Sequence, residues 1–262
     1  MFKNVSFLLM IFLCAFIGLQ LYKSTAVADR NETIIMGTMS GWPPYVSMNE
    51  LGIYEGFDID VAQEIAGRLN KKLVIKDMDT AYLIQALQQG SVDFIMTGLD
   101  ITYERLQKIA MVPYQGEPIT SLPLIFWQTI PSGVKKLEDL SSIPGAIVCV
   151  EPGSSQEPIL ESFKGFEIKR VDPLGSILEI QYGKALATLL EPALFQSLKK
   201  KYPELVSIAV PLDEKNKIIG CGIGVKKENT KLLTKINTLI AALKKEGFLT
   251  EKEKQWFSKE TL

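Results

Sequence analysis

The sequence has 262 residues, of which 47% are hydrophobic and 23% are charged, with a formal net charge of −1 and no histidine. Its length suggests one or two domains with a well-buried core, and its near-neutral charge gives no reason to expect a nucleic-acid partner. The absence of histidine excludes Ser-His-Asp and Cys-His catalysis and histidine-based zinc sites, whereas carboxylate, lysine and tyrosine chemistry remain possible. We expect no metal and no cofactor.

The N-terminus has the composition of a secretory signal peptide. Lys3 supplies a positive charge, residues 7–21 form an apolar core, and the Ala-Val-Ala at 26–28 fits the small-residue rule for cleavage. We therefore predict a signal peptide over residues 1–28, cleavage after Ala28, and a periplasmic or otherwise extracytoplasmic mature chain. A retained membrane anchor is the alternative, but the apolar run is short for a full span. Lipidation of Cys14 is disfavoured because bulky residues precede it.

The mature chain begins with alternating strand and helix patterns. Strands and helices are predicted in turn at 33–38, 58–69, 73–75, from 79 or 80 to 90, at 92–96 and after 102. This β-α-β-α-β-α order indicates a mostly parallel sheet with helices on its faces, and Asp58 is a suitable N-cap for the first helix. Ligands bind such sheets at the carboxyl ends of the strands, where residues 38–42 and 97–100 lie.

The middle of the chain changes character. Residues 115–128 are extended, apolar and interrupted by prolines, which is typical of a long strand that leaves one domain for another. A second α/β pattern follows, with elements predicted at 137–141, 146–150, 156–163, 166–171, 174–182, 185–190 and 192–201. Cys149 and Cys221 lie in strand-like apolar contexts, which predicts two small buried thiols rather than a disulfide.

The C-terminal part contains a glycine-rich strand at 218–225 and then the longest predicted helix, at 229–245. Gly247 is placed to end this helix, because glycine readily adopts the left-handed conformation of a C-terminal cap. Thr250 is predicted to cap a last, short helix.

One stretch carries the strongest functional signal. After the apolar run 92–96, the turn Thr97-Gly98-Leu99-Asp100 leads into a predicted helix that contains Arg105. Free backbone N–H groups and a positive helix end favour an anion, and arginine can hold a carboxylate through two parallel bonds. A surface ion pair with Glu104 or Glu117 is the alternative for Arg105, and spacing alone does not decide between them.

A second turn repeats this logic in the second half of the chain. Gly153-Ser154-Ser155-Gln156 follows a strand that ends at Glu151 and precedes a predicted helix. Alone it would be an ordinary N-cap, but two such turns in successive α/β halves can face one cleft. Glu191 ends another strand beside a helix start, where binding of a ligand ammonium and simple helix capping explain it equally well. Trp42 lies in a loop stiffened by two prolines, and this context favours a role in lining a binding site over a role in filling the core.

Several motifs occur together in one order and spacing. They are Gly37-Thr38, Trp42-x-Pro44-Tyr45, Gly56-Phe57-Asp58-Ile59-Asp60, Thr97-Gly98-Leu99-Asp100-Ile101-Thr102-x-x-Arg105, Gly153-Ser154-Ser155-Gln156-Glu157, Gly222-Ile223-Gly224-Val225, Glu246-Gly247 and Trp256-Phe257. The set resembles the extracytoplasmic polar amino-acid-binding proteins that feed ABC importers, which are bacterial solute-binding proteins of family 3, and it is most similar to their arginine-binding branch. The resemblance covers residues 29–256.

This resemblance implies an α/β, two-lobe periplasmic-binding-protein fold of type II. Each lobe would be a mixed β-sheet flanked by helices, and two hinge strands would join the lobes. Lobe 1 would comprise residues 29–116 and 220–262, and lobe 2 would comprise residues 117–219, including the hinge strands. The implied function is to bind a polar or basic L-amino acid, arginine above all, and to deliver it to the transmembrane subunits of an ABC permease.

The resemblance also implies a role for each site residue. Arg105 would pair with the ligand α-carboxylate, Glu191 would take the α-ammonium, and Trp42 would stack on the ligand side chain. The remaining contacts to the α-groups would come from both turns, through Thr97, Gly98, Asp100, Ser154, Ser155 and Gln156.

Two positions depart from the family pattern. Met39 stands where basic-amino-acid binders often have an aspartate, and Thr80 stands where a second aromatic residue is common. We hypothesise that Glu151 replaces the missing aspartate and meets the guanidinium or ammonium of the ligand side chain. The alternative from another class is a prephenate or arogenate dehydratase on the same fold, in which a cleft carboxylate acts as a general acid. An acidic side-chain subsite argues against it, since it would repel an anionic dicarboxylate.

Overall fold

The computed structural model describes residues 32–257. The predicted signal peptide, with its cleavage position after Ala28 and with Cys14, lies outside the described residues. Within the described range, no helix has the combination of length and hydropathy that spanning a bilayer requires.

The described chain alternates short strands and helices. The strands are β1 (Thr33–Thr38), β2 (Ser47–Met48), β3 (Tyr54–Glu55), β4 (Lys72–Asp77), β5 (Phe94–Ile95), β6 (Ala110–Gln115), β7 (Ser121–Trp127), β8 (Ile147–Val150), β9 (Glu167–Arg170), β10 (Ala187–Leu189), β11 (Leu205–Pro211) and β12 (Cys221–Val225). The helices are α1 (Phe57–Arg68), α2 (Thr80–Gln88), α3 (Tyr103–Lys108), α4 (Glu157–Glu161), α5 (Pro173–Gln181), α6 (Pro192–Lys201), α7 (Thr230–Glu246) and α8 (Phe248–Phe257), with a 3₁₀ helix at Leu137–Ser142.

The first sheet has the strand order β4-β1-β5-β12-β6. β1 runs parallel to β4 and β5, as the βαβ pattern predicts, whereas β12 returns antiparallel to both β5 and β6. The predicted mixed sheet is therefore confirmed, because the glycine-rich strand comes back from the other half of the chain. Met36, Phe94 and Ile223 are fully buried in the core of this sheet and its helices, which we call lobe 1.

The second sheet has the order β11-β7-β10-β8-β9 and is also mixed. β8 is parallel to β9 and β10, and β7 is antiparallel to β10 and β11. Its core contains Leu124, Phe126 and Val148, and we call this sheet with its helices lobe 2. The edge strand β11 is not predicted from the sequence, because its residues do not alternate between buried and exposed positions.

The chain passes between the lobes twice, and the two passages lie side by side. The single long strand predicted over residues 115–128 is wrong: β6 ends at Gln115, Gly116 turns with φ +81°, and β7 begins at Ser121. In the passage between these strands, the backbone N–H of Ile119 donates to the carbonyl of Ile218 at 2.9 Å. The predicted lobe bounds fall within these two passages, and movement about them stays a prediction.

Two predicted helix caps are wrong. Asp58 does not cap α1, because Gly56 occupies the N-cap position with φ +135°. Only glycine fits there, since an added Cβ would lie 2.1 Å from the carbonyl oxygen of Tyr45. Asp58 is instead fully buried within the first turn of α1. Thr250 lies inside α8, which starts directly after Gly247 ends α7 at φ +80°.

The two cysteines of the described chain are free and buried, as predicted.

Candidate functional site

A cavity lies between the lobes, at the carboxyl ends of β1, β5, β8 and β10. It is lined by Trp42, Thr80, Thr97, Gly98, Leu99, Asp100, Arg105, Glu151, Ser154, Ser155, Gln156 and Glu191. Every residue that the sequence predicts for the site except Met39 lines this cavity. Thr80 and Leu99 are additions that the sequence analysis did not assign to it.

Met39 lies behind the cavity wall rather than in it. Its backbone N–H donates to the hydroxyl of Thr97 at 3.3 Å, and that hydroxyl donates to the Met39 carbonyl at 3.2 Å. The proton of the Thr97 hydroxyl is therefore already used, so Thr97 can face a ligand only as an acceptor. Met39 therefore supports the site through its backbone N–H and carbonyl. The identity of its side chain gives no indication of this role.

Arg105 is buried in the cleft, with 7% of its surface exposed. Its guanidinium donates to the carbonyl of Asp100 at 2.9 Å within lobe 1 and to the carbonyl of Gly153 at 2.9 Å in lobe 2. The alternative of a surface ion pair is excluded for Glu104, which pairs with Lys108 at 2.6 Å. A guanidinium has five donors, so further N–H groups remain for an anion.

The helix that carries Arg105 contributes less to anion binding than the sequence suggests. α3 spans only Tyr103–Lys108, and the hydroxyl of Thr102 caps it by accepting the Arg105 N–H at 3.2 Å. The Thr102 hydroxyl therefore occupies the Arg105 N–H, one of the free donors at this helix end. The backbone N–H groups of Leu99 and Asp100 have no acceptor within residues 32–257, so these amides, rather than the helix, supply backbone donors at the cavity.

The Gly98 turn is anchored by a residue that sequence reasoning missed. The backbone N–H of Gly98 donates to Asp58 Oδ2 at 2.7 Å, and the hydroxyl of Tyr114 donates to Asp58 Oδ1 at 2.5 Å. The Gly98 N–H is therefore already used within lobe 1, and a ligand contact through the rest of the Gly98 backbone stays a prediction. Gly98 also lies on the ring of Tyr45, where a Cβ would approach within 2.8 Å. Burial raises the pKa of Asp58 to about 7, although both hydrogen bonds lower it.

Glu151 lies in lobe 2 but is held by lobe 1. Its Oε1 accepts hydrogen bonds from the Thr80 hydroxyl at 2.8 Å and from the indole N–H of Trp42 at 3.2 Å. Its Oε2 is buried and has no partner among the described residues. Burial raises the pKa of Glu151 to about 7, against the lowering effects of these two hydrogen bonds and of the Arg105 charge.

The second turn also contributes polar atoms to the cavity. The hydroxyl of Ser155 donates to Asp100 Oδ2 across the cleft. The hydroxyl of Ser154, the amide nitrogen of Gln156 and the second oxygen of Asp100 are buried without a partner among the described residues. α4 receives no side-chain cap, so the serines are not the ordinary N-cap that the sequence also allowed.

Glu191 completes an acidic lining. It precedes α6 but forms no side-chain capping bond, and only 4% of its surface is exposed. Burial, with the nearby charge of Asp100, raises the pKa of Glu191 well above its usual range. Burial also raises the pKa of Asp100, although Arg105 and Ser155 lower it, and burial lowers the pKa of Arg105.

The cavity therefore presents both negative and positive side chains to a bound molecule. Three buried carboxylates and one buried guanidinium line the same cavity, together with polar atoms that have no partner among the described residues. A small zwitterion that carries additional positive charge would pair these groups. Within residues 32–257, no cluster of His, Cys, Asp and Glu has the arrangement of a metal site.

Comparison with known proteins gives consistent matches. The sequence model of the bacterial extracellular solute-binding proteins, family 3, matches residues 34–259. A probable ABC transporter arginine-binding protein, ArtJ of Chlamydia trachomatis (serovar D), is 35% identical over 229 residues, covering 87% of each chain. A mutant of ArgBP from T. maritima gives a TM-score of 0.78 at 31% identity, covering 88% of this chain and 97% of that one. An ancestral arginine-binding protein bound to arginine gives 0.75 at 29%, covering 86% and 98%. These structures confirm the predicted two-lobe fold.

Substitution of Asp58 is expected to destabilise the protein, because it removes the hydrogen bonds that hold the Gly98 turn. In Asp58→Ala, the Gly98 N–H and the Tyr114 hydroxyl lose their buried acceptor, which is expected to lower the free energy of unfolding by about 2–5 kcal/mol. Asp58→Asn keeps an acceptor for Gly98 and is expected to lose less than about half of that. Urea denaturation of both variants measures the difference, and equal losses would show that the carboxylate oxygens do not anchor the turn.

Gly153 allows the lobes to approach, since a Cβ there would lie 2.5 Å from Cα of Ala81 at the start of α2. Gly153→Ala is expected to weaken binding of the amino-acid ligand that the sequence predicts by about tenfold or more, because α2 can no longer approach the turn. Gly183→Ala is the matched control, because Gly183 has a similar φ of +66° but no atom within 4 Å of the added Cβ. Both variants should melt earlier through backbone strain, and equal affinities by calorimetry would exclude the steric mechanism.

Proposed function

The chain belongs to the bacterial extracellular solute-binding proteins of family 3, and from this premise we propose that it binds L-arginine between its lobes and delivers it to the permease of an ABC importer. A probable ABC transporter arginine-binding protein and an ancestral arginine-binding protein among its relatives support a binding role. The family is extracytoplasmic, and we propose cleavage after Ala28 as the step that releases the mature chain.

The α-carboxylate of the ligand is assigned to Arg105. This guanidinium has free donors beside the two carbonyl contacts that hold it in place. The unpaired backbone N–H groups of Leu99 and Asp100, together with the hydroxyl of Ser154 and the amide nitrogen of Gln156, supply further donors on both sides of the cleft. Support for this assignment comes from the Ser154 hydroxyl and the Gln156 amide nitrogen, which are buried without a partner among the described residues.

The α-ammonium is assigned to the space between Asp100 and Glu191. Asp100 uses one carboxylate oxygen for Ser155 and leaves the other buried and unpaired. Glu191 is buried and makes no side-chain capping bond to α6. The Thr97 hydroxyl, whose proton is already donated to Met39, contributes an acceptor. An ammonium has three donors, which is the number of these acceptor groups.

One observation carries the choice of arginine: the unpaired Oε2 of Glu151 lies in a cavity that already holds two other carboxylates. An α-ammonium balances only part of this negative charge, so a cationic side chain is favoured over a neutral or anionic one. Trp42 lines the same region, and a cation against its ring would add about 0.5–2 kcal/mol. The arginine-binding relatives support the same ligand.

We propose no catalytic activity. Asp100, Glu151 and Glu191 are all acidic, so the dianionic substrate of a dehydratase would place like charges together in a desolvated cavity. A charge-matched amino acid is bound by these same groups without any bond being made or broken. Closing of the lobes around it then provides the signal that a permease recognises.

A screen of the twenty amino acids, citrulline and prephenate by thermal shift tests the ligand. L-Arginine at about 100 times its Kd is expected to stabilise the protein by about 2.7 kcal/mol. Prephenate should give neither a shift nor turnover. The absence of a shift with every cationic amino acid would contradict the proposal.

Glu151→Gln tests the assigned reader of the side chain. The variant is expected to weaken arginine binding by about tenfold or more in calorimetry, because a buried ion pair loses its charge. Binding of citrulline, which has the shape of arginine without its charge, should change little. Glu138→Gln, at an exposed position in lobe 2, is the matched control. Equal arginine affinity in wild type and Glu151→Gln would remove Glu151 from this role.

Arginine binding should depend on pH near neutrality. Burial raises the pKa of Glu151 to about 7, and a cationic ligand requires its ionised form, so binding releases a proton below that pH. Affinity is therefore expected to fall by up to about tenfold per unit as the pH decreases from about 7 to about 5.5. Calorimetry in buffers of different ionisation enthalpy measures the released proton.

The Glu151→Gln variant separates this titration from those of Asp100 and Glu191, which line the same cavity. If Glu151 is the titrating group, the variant should show a flatter pH profile and a smaller proton release than wild type. An unchanged profile would assign the pH dependence to the other two carboxylates.

A further inference from the structure

Thr80 is the first residue of α2, and its hydroxyl is not used by that helix. Asp79 occupies the N-cap position, and neither residue makes a side-chain capping bond. The Thr80 hydroxyl instead donates to Glu151 Oε1 at 2.8 Å, with Met39 Sδ as a more distant neighbour at 3.3 Å. Since a carboxylate is a far stronger acceptor than a thioether, the proton belongs to Glu151.

This bond decides which oxygen of Glu151 remains available. The indole N–H of Trp42 donates to the same Oε1, at 3.2 Å, so both donors hold one oxygen and Oε2 is left buried without a partner. Two donors on one oxygen restrict rotation of the carboxylate. If the Thr80 donor is lost, the longer bond from Trp42 alone remains.

The arrangement spans the cleft. Glu151 ends β8 in lobe 2, whereas Thr80 and Trp42 belong to lobe 1. The start of α2 also packs against the turn that follows Glu151, because a Cβ on Gly153 would lie 2.5 Å from Ala81. Thr80 can therefore reach Glu151 only when the lobes have approached each other.

We propose that Thr80 is a positioning residue that sets the side-chain specificity of the arginine site. It fixes Glu151 so that Oε2 faces the ligand cation, and it does so as the lobes close. Discrimination between cationic and neutral side chains is thus completed at closure rather than at the first encounter. This inference rests on the proposed function, with Glu151 as the reader of the side chain.

Calorimetry on Thr80→Val and Thr80→Ser with arginine and citrulline tests the inference. Thr80→Val keeps the shape but removes the donor, so the Kd for arginine is expected to rise by about tenfold. Thr80→Ser keeps the hydroxyl and should recover most of that loss. Citrulline affinity should change by less than about threefold in both, because no cation approaches Oε2. Stopped-flow measurements should place the loss in the dissociation rate.

A double-mutant cycle separates positioning from simple packing. On the Glu151→Gln background, Thr80→Val is expected to add little further loss of arginine affinity, since its effect acts through the carboxylate. Additive losses, or an unchanged preference for arginine over citrulline in Thr80→Val, would overturn the inference. Thr80→Ala provides a second donor-free variant should the valine disturb the start of α2.

The failure of this inference differs from the failure of the proposed function. If wild-type protein does not bind arginine, or if Glu151→Gln binds it normally, the proposed site itself is wrong. If Glu151→Gln loses affinity and Thr80→Val does not, only the positioning role is wrong.

Discussion

The cleft is governed by a charge imbalance that the folded chain cannot remove by itself. Asp100, Glu151 and Glu191 face the single guanidinium of Arg105 where little water reaches, and burial raises the pKa of each of these carboxyl groups. An ionised carboxylate in such a place must either take up a proton or find a cation, because an uncompensated buried charge costs several kcal/mol. A ligand with two positive groups and one carboxylate provides two cations for the carboxylates and an anion for Arg105, which lowers the formal imbalance from −2 to −1. The selectivity of the site follows from this requirement.

No single lobe satisfies these groups. Arg105 reaches from lobe 1 to the carbonyl of Gly153, Ser155 reaches from lobe 2 to Asp100, and Glu151 is held by Thr80 from the opposite side. Each bond crosses the cleft, so opening the lobes at the paired passages near Ile119 separates all of them together. In the proposed function, ligand binding is therefore coupled to the approach of the lobes, because the ligand would meet the same polar groups that join them.

The sequence predicts the parts of this site well and their orientation poorly. Turns that follow apolar strands mark Thr97–Asp100 and Gly153–Gln156, since strand ends on parallel sheets meet at one edge. Hydrogen-bond direction is a different matter. The turn predicts a ligand contact through the Gly98 backbone, but the Gly98 N–H donates to Asp58, which is held beside it by the hydroxyl of Tyr114 in β6. The role of Thr80 could not be predicted from the sequence either, because its hydrogen-bond partner Glu151 is distant in sequence and lies in the other lobe.

The motif Gly56-Phe57-Asp58-Ile59-Asp60 shows how this local rigidity is achieved. Its two carboxylates leave one turn of α1 in different directions: Asp58 holds the Gly98 turn, while Asp60 accepts the indole N–H of Trp256 at 2.9 Å in the last helix. The ring of Tyr45, on which Gly98 lies, also meets Phe257 of that helix edge to face at 5.1 Å. The turn is thus fixed to lobe 1 through side chains that do not line the cavity. A turn held in this way can present the same amides and carbonyls to each ligand, which leaves the choice of ligand to the groups that meet it from across the cleft.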